Sequence, residues 1–342
     1  MSSSFPDFPG PGGHPYRGMI SQGRVSLSGT RFFRGYGRSF MRRRGRREGF
    51  VLVSVLMLSV VFISCATAFT WFARLQARSA LRERTALSNR SAAQVLSTGM
   101  MKLISAISEK SDADSPLQPW FQPFVLQLGP SGFWTVQARP LDDKIPVRGL
   151  FLPDRSTVRT ELRRPWEDLW ERLGQRELAA LTLDFMDKDS RPRVGGAERD
   201  NFINRQPLDL SEFLLLPEVT PELLHSRQGR PGLADYCTLW SDGKLNLNVA
   251  PVEVLGLLPG MDRNQAERLV AFCRNGILKN MSDVRGIPGF SPKAATHMLN
   301  LAGFKSRYFA LRIEFVDESG GGAVFNIVFD KQKACIVRWE EI

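Results

Sequence analysis

The feature that most constrains this chain is an uncharged run of 23 residues, Phe50 to Phe72 (FVLVSVLMLSVVFISCATAFTWF). About 20 consecutive apolar residues cross a bilayer as one helix. The run is preceded by Met41-Arg-Arg-Arg-Gly-Arg-Arg-Glu-Gly49. Clustered Arg on one flank holds that flank in the cytoplasm. The segment therefore predicts a single-pass helix with a cytoplasmic N-terminus and an exported remainder. A buried core helix is disfavoured by the length of the run and its one-sided basic flank. A cleaved secretory signal is disfavoured because its apolar part runs only about 7–15 residues and ends at small residues.

The net charge of +11 would suggest nucleic acid, but residues 1–49 supply +8 of it, with ten Arg against Asp7 and Glu48. The rest of the chain is nearly neutral, so the basic excess belongs to a leader and not to a folded surface. Residues 1–40, rich in Gly, Ser, Pro and Arg and without periodicity, have the composition of a disordered segment.

Beyond the apolar run the pattern becomes amphipathic. Leu96, Met100, Leu103 and Ile107 fall on one helical face, and no Pro occurs between Phe50 and Ser115. One helix from Phe50 to about Ile107 would be ~87 Å long at 1.5 Å per residue. Phe133–Arg139 alternates apolar and polar residues as a strand does. Arg307–Phe315, Ala323–Phe329 and Ala334–Trp339 add three more, with a turn at Asp317–Gly322, and form a meander whose covered face the long helix would shield.

Between these strands the chain reads as helical. Helices are predicted over Pro165–Leu173 and Arg176–Asp187, with further starts at Thr220-Pro221, Ala250-Pro251, Asp262 (capping with Gln265) and Ser291-Pro292, and Gly276 closing the helix Ala266–Cys273. The fold class is thus α+β: a pilin-like long N-terminal helix packed on an antiparallel sheet, with a large α-helical domain inserted. The expected divisions are 1–49 leader, 50–115 helix, 116–149 first sheet segment, 150–304 helical insert and 305–342 C-terminal strands.

Several motifs, in order, resemble one family. Arg46-Arg-Glu-Gly-Phe50 is similar to the prepilin peptidase site, where cleavage follows Gly and leaves Phe. Asp184-Phe-Met-Asp187-Lys-Asp189, followed by Pro192, Gly195-Gly-Ala-Glu198-Arg-Asp200 and Asn204, resembles a signature of the K-type minor pseudopilins (GspK) of type II secretion. So do Leu245-Asn-Leu-Asn-Val-Ala-Pro251 with Leu258-Pro-Gly260, where Val249 replaces Thr, and Ser306-Arg-Tyr-Phe309. Leu141–Pro146 is similar to the family's D-x-x-G-K-I turn, although Val147-Arg148 departs from its continuation. The resemblance spans about Arg42 to Trp339.

It implies a single-pass inner-membrane protein with a periplasmic C-terminal domain. Prepilin peptidase would cleave between Gly49 and Phe50, the new N-terminus would be methylated, and translation would start at Met41, with a genuine long leader from Met1 as the open alternative. It further implies a place at the pseudopilus tip with I-type and J-type minor pseudopilins, a role in starting assembly and contact with secreted substrate. The fifth residue from Phe50 is Ser54, where pilins carry Glu. A carboxylate in hydrocarbon is kept only where it has a partner, so Ser54 suits a first subunit.

Asp187, Asp189, Glu198 and Asp200 form an acidic set beside a Gly-rich turn, which can converge on Ca²⁺ or stay solvated and answered by Arg191, Arg193 and Arg199. The resemblance favours calcium as cofactor. Cys237, Cys273 and Cys335 are exported into a compartment that permits disulfides. Cys237 and Cys273 share the insert and are the expected pair, with free thiols the open alternative; Cys65 lies in the apolar run. His14, His225 and His297 are scattered, and no G-x-S-x-G, P-loop or H-E-x-x-H occurs, so no enzyme is expected.

A rival class remains. Leu258-Pro-Gly260 with Ala266–Cys273, and Ile287-Pro-Gly289 with Ala294–Leu299, look like helix-hairpin-helix units, which in DNA-binding proteins hold a backbone phosphate on turn amides. The charge surplus around them is only +2, so no nucleic-acid partner is expected. The alternatives are a membrane-anchored DNA-uptake protein of this type or a type IV pilus minor pilin.

Overall fold

In a computed structural model, which describes residues 48–128, 132–227, 229–317 and 321–342, the uncharged run opens one uninterrupted helix, α1 (Glu48–Lys110). Residues 1–47 of the expected leader, with the Met41 start and Arg46-Arg47, lie outside the described residues, as do the middle residues of the expected turn at Asp317–Gly322, while Glu48 and Gly49 of that leader belong to α1. The chain divides into two units, 1–74 and 75–342. In the first, every side chain from Gly49 to Arg74 is exposed, and α1 is long and apolar enough to cross a membrane.

In the second unit the C-terminal half of α1 covers a sheet. The strands of this unit run β1 (Phe124–Leu126), β2 (Gly132–Pro140), β3 (Ile145–Pro146), β4 (Cys237–Thr238), β5 (Leu245–Asn246), β6 (Ala302–Gly303), β7 (Tyr308–Asp317), β8 (Gly322–Asp330) and β9 (Cys335–Glu341). The main sheet has the order β1-β2-β7-β8-β9 and is antiparallel throughout. Its register places apolar side chains in cross-strand rows, Val136–Ile313–Phe325 and Ala138–Leu311–Ile327, on the face that Ala93, Leu96, Met100 and Ile104 of α1 bury. The alternate residues Gln137 and Arg139 point away, as a period of two requires.

The face of α1 differs from the one expected. Leu103 is exposed and Ile107 half-buried, whereas Ile104, Ser97 and Ser108 are buried. The helix is rotated toward its serines, a shift invisible to an apolar pattern. Ser97 returns its hydroxyl to Gln94 O (2.9 Å), and Ser108 Oγ accepts from Lys331 Nζ (2.6 Å).

The strands of the sheet are interrupted between Pro140 and Phe309, which are themselves register partners. The intervening chain folds around a second core built from residues 145 to 302. Its helices are α2 (Thr160–Arg172), α3 (Leu178–Met186), α4 (Pro221–Leu224), α5 (Leu233–Tyr236), α6 (Val252–Leu255), α7 (Arg263–Cys273), α8 (Met281–Arg285) and α9 (Pro292–His297). The caps at Thr220, Asp262 and Ser291 accept from Leu223 N, Gln265 N and Ala294 N.

One start moves: α2 begins five residues before Pro165, which lies inside the helix. An interior Pro costs about 3 kcal/mol. Here the burial of Leu162, Trp166, Leu169 and Trp170 on the same helix offsets it, at about 1.5–3 kcal/mol per large side chain. Trp166 is fixed to α3 by its indole N–H, which donates to Ala179 O and Thr182 Oγ1, both at 3.2 Å.

A buried polar junction joins the two cores. Asp114 N donates to Phe304 O (2.8 Å), and Asp114 Oδ2 accepts from Ser306 N and Lys331 Nζ, both at 2.7 Å. Asn246 Nδ2 donates to Asp114 O and to Ser306 Oγ. Asp142 accepts from Arg307 N (2.8 Å), and its carbonyl accepts from Asn246 N.

Candidate functional site

The acidic segment lies where α3 ends. Asp184 is on the last turn of α3 and Asp187 caps it, three residues on and so on the same helix face. Both are fully buried. The loop that follows folds back through Gly195-Gly196 to bring Glu198 to them, and the ligand atoms of Asp184, Asp187 and Glu198 lie within 4.8 Å of one another. Gly196 is required by this approach, since a Cβ there would sit 1.9 Å from Asp184 Oδ2.

The four acids expected from the sequence are therefore only partly assembled. Asp187 and Glu198 converge. Asp189 stands apart, accepting from Arg191 N (3.0 Å), and Asp200 is exposed on the loop. Asp184 takes their place. The signal for it was available, because Asp184 and Asp187 are spaced by three on a predicted helix.

A guanidinium lies inside the group. Arg193 Nη1 donates to Asp184 Oδ1 (2.7 Å) and to Asp187 Oδ2, Arg193 N donates to Asp184 Oδ2 (3.1 Å), and Nη2 donates to Ser156 O (2.5 Å). Burial pushes the Asp187 carboxyl up to about 6 despite Arg193, and burial together with Asp184 and Asp189 raises Glu198. Asp187 Oδ1, Glu198 Oε1 and Asn204 Oδ1 have no hydrogen-bond partner among the described residues. Calcium takes 6–8 oxygens. Two carboxylates of this group are already committed to a cationic side chain, so the set as it stands does not fit a resident calcium. Of the other arginines, Arg199 pairs with Glu218 (2.5 Å) and is turned to a different acid.

The two hairpin turns pack on each other's helices. Gly260 (φ +78°) faces Ala294 and His297 of α9, and Gly289 (φ +70°) faces Arg268 of α7. Gln265 Nε2 donates to Gly289 O (3.2 Å), and Gln265 Oε1 accepts from Ser291 N (2.8 Å). An amide that a phosphate would need is thus held by a side chain of the other hairpin. Arg263 is paired with Glu267 at 2.8 Å. The pair behaves as a structural unit.

No family model matches the chain, and no curated protein matches it by sequence. Among solved structures the fold is matched by a chain in the crystal structure of the GspK-GspI-GspJ complex from the enterotoxigenic Escherichia coli type 2 secretion system. Identity is 16%, the TM-score is 0.56, and the match covers 78% of this chain and 99% of that chain. The two chains share a fold. The shared architecture is α+β, with the long helix, the antiparallel sheet and the further helices together, so the likeness extends beyond the helix to the insert.

The remaining sites are placed as follows. Gly49 and Phe50 open α1 and are exposed, and Ser54 Oγ donates to Phe50 O (2.8 Å), so its hydroxyl is satisfied within the helix. The expected Cys237–Cys273 bond is not formed, and all four cysteines are free. Each buried sulfur has its own neighbour: Cys237 Sγ donates to Leu233 O (3.2 Å), while Cys273 Sγ faces Leu247 O at 3.8 Å. Burial pushes both thiols up to about 12, which suits unreactive core cysteines.

Proposed function

We propose that this chain is a K-type minor pseudopilin of a type II secretion system. The observation that carries the reading is the fold shared over nearly the whole of a chain from the GspK-GspI-GspJ complex. The uninterrupted α1 supports it. Its first half is an exposed apolar segment fit for a bilayer, and its second half packs on the sheet. In this reading α1 anchors the protein once in the inner membrane, N-terminus inward and folded domain in the periplasm. Prepilin peptidase cleaves between Gly49 and Phe50, and the new amine is methylated.

The partners are I-type and J-type minor pseudopilins, and the place is the pseudopilus tip, where the subunit helps start assembly and meets secreted substrate. Two features favour the tip. The insert between β2 and β7 would obstruct stacking along a filament, and Ser54 offers no carboxylate to the amine of a neighbouring subunit. The protein works by assembly and not by catalysis.

The test is co-purification of the full chain, in detergent, with candidate I-type and J-type subunits, followed by N-terminal sequencing. The expected result is a stable complex and a mature sequence beginning Phe-Val-Leu-Val. Failure to bind either subunit, or a mature protein beginning at Met1 or Met41, overturns the reading. Binding to type IV pilus subunits instead would favour the minor-pilin alternative.

A further inference from the structure

We propose that Arg193 is a tethered counter-cation. Its guanidinium takes, among Asp184, Asp187 and Glu198, the place a divalent cation would hold, so the loop from Asp187 to Asn204 keeps its fold with no metal bound. Calcium then competes with the guanidinium and does not complete the site.

Three carboxylates meet here and two of them are fully buried. Buried carboxylates without a partner cannot stay ionised, so the fold must bring a cation or give up their charge. Arg193 is built to be that cation. A planar fork with several fixed donors matches paired carboxylates, and this one uses the backbone N–H as well as the side chain. The guanidinium also lies over the Phe151 ring, its Cζ 5.6 Å from the centroid, and donates to Ser156 O, so its position is set from three sides.

The loop is shaped around this contact. It turns at Gly195-Gly196, where a side chain would strike Asp184, and carries Arg193 back nine residues after Asp184. Of the carboxylate oxygens that converge here, Asp187 Oδ1 and Glu198 Oε1 are the buried ones left without a partner among the described residues, well short of the 6–8 oxygens calcium takes. A dication on those oxygens would also face the Arg193 charge a few Å away, which weakens binding by roughly one to three orders of magnitude.

Trp166 and Trp170 sit in the same core as α3, so tryptophan fluorescence of the full chain in detergent reports unfolding of this region. The wild-type midpoint is expected to be the same in EDTA and in calcium. Arg193→Gln is expected to melt lower than wild type in EDTA, to recover on adding calcium, and to bind calcium at least about tenfold tighter by calorimetry, since a like charge has been removed. Arg193→Lys, which keeps the charge but loses the fork, should fall between. A wild-type midpoint that drops on chelation, tight calcium binding by the wild type, or an Arg193→Gln melt that equals wild type in EDTA overturns the proposal. If Arg193→Gln does not fold, the double variant Arg193→Gln/Asp187→Asn removes both charges of one pair. Its recovery of a folded state, in EDTA or on adding calcium, supports the proposal, and its failure to fold in both conditions overturns it.

Discussion

Asp184 and Asp187 meet their cation nine and six residues along the chain, whereas Asp114 meets Lys331 across 217 residues. Both clusters bury carboxylates completely, and both leave carboxylate oxygens without a partner among the described residues, Asp187 Oδ1 and Glu198 Oε1 in the first and Asp114 Oδ1 in the second. The difference lies in what the contact orders. The Arg193 contact closes a short loop on the helix before it, and a cheap local closure can be lost without disturbing the rest. The Lys331 contact ties the end of α1, the return of the insert at Ser306 and the turn after β8 to one carboxylate. A charge pair of this second kind holds two cores in register.

The largest expected effect follows from that contrast. Lys331→Met leaves Asp114 buried with no cation and should cost about 3–5 kcal/mol in a thermal or urea melt of the full chain. The matching loss at Arg193→Gln in EDTA should be smaller, because the Arg193 side chain is 24% exposed against 12% for Lys331. A smaller loss at Lys331 than at Arg193 would remove the distinction.

Next comes pH. Burial, offset in part by bonds from Ser241, Arg307 and Tyr308, pushes Asp142 in the junction up to about 7 from 3.8. The fold therefore keeps a proton that the unfolded chain has lost, and stability falls as pH rises from about 4 to about 7, by up to about 1.4 kcal/mol per pH unit. Asp187, held up to about 6, contributes over the lower part of this range. Asp142→Asn should flatten the melting profile between about pH 6 and pH 7, and an unchanged slope there would exclude the junction as its source. Gly196→Ala is expected to cost about 1–3 kcal/mol by forcing Asp184 and Arg193 apart, with the loss read in the same melts.

The smallest effect belongs to the hairpins. Gln265→Ala should lose about 0.5–1.5 kcal/mol, because one of its two hydrogen bonds is solvent-exposed and contributes little, and neither it nor the wild type should retard duplex DNA in a low-salt gel. Retardation by the variant alone would mean that Gln265 masks a phosphate cradle.

Much of the architecture was written in short-range patterns. β2, β7 and β8 alternate because one face is covered, and Thr220, Asp262 and Ser291 cap because a hydroxyl or carboxylate at that position has a free amide three residues on. What escaped depends on tertiary contact. The face of α1 follows Ser97 and Ser108, whose burial is set by Lys331 and the sheet. The start of α2 ignores Pro165 because tryptophan burial outweighs a lost bond. The acidic site was half legible: Asp187 and Glu198 sit in recognisable motifs. The choice of Asp184 over Asp189 and Asp200 depends on where a glycine turn lets the loop pass, and the pairing of Cys237 with Cys273 failed because proximity in sequence says nothing of where buried sulfurs point.

The insert leaves β2 at Pro140 and rejoins β7 at Phe309, and those two residues face each other across the ladder. Topologically the insert is thus a hairpin loop. Growing an unstructured loop from about five residues to this length is about five doublings, or about 3 kcal/mol of closure entropy, and the insert's own core has removed that flexibility. A sheet arranged this way tolerates exchange of the excursion. The same strand pair can carry a tight turn in one protein and a whole helical module in another, so the surface presented at this point can be replaced in evolution or by grafting while the register of β2 on β7 stays as it is.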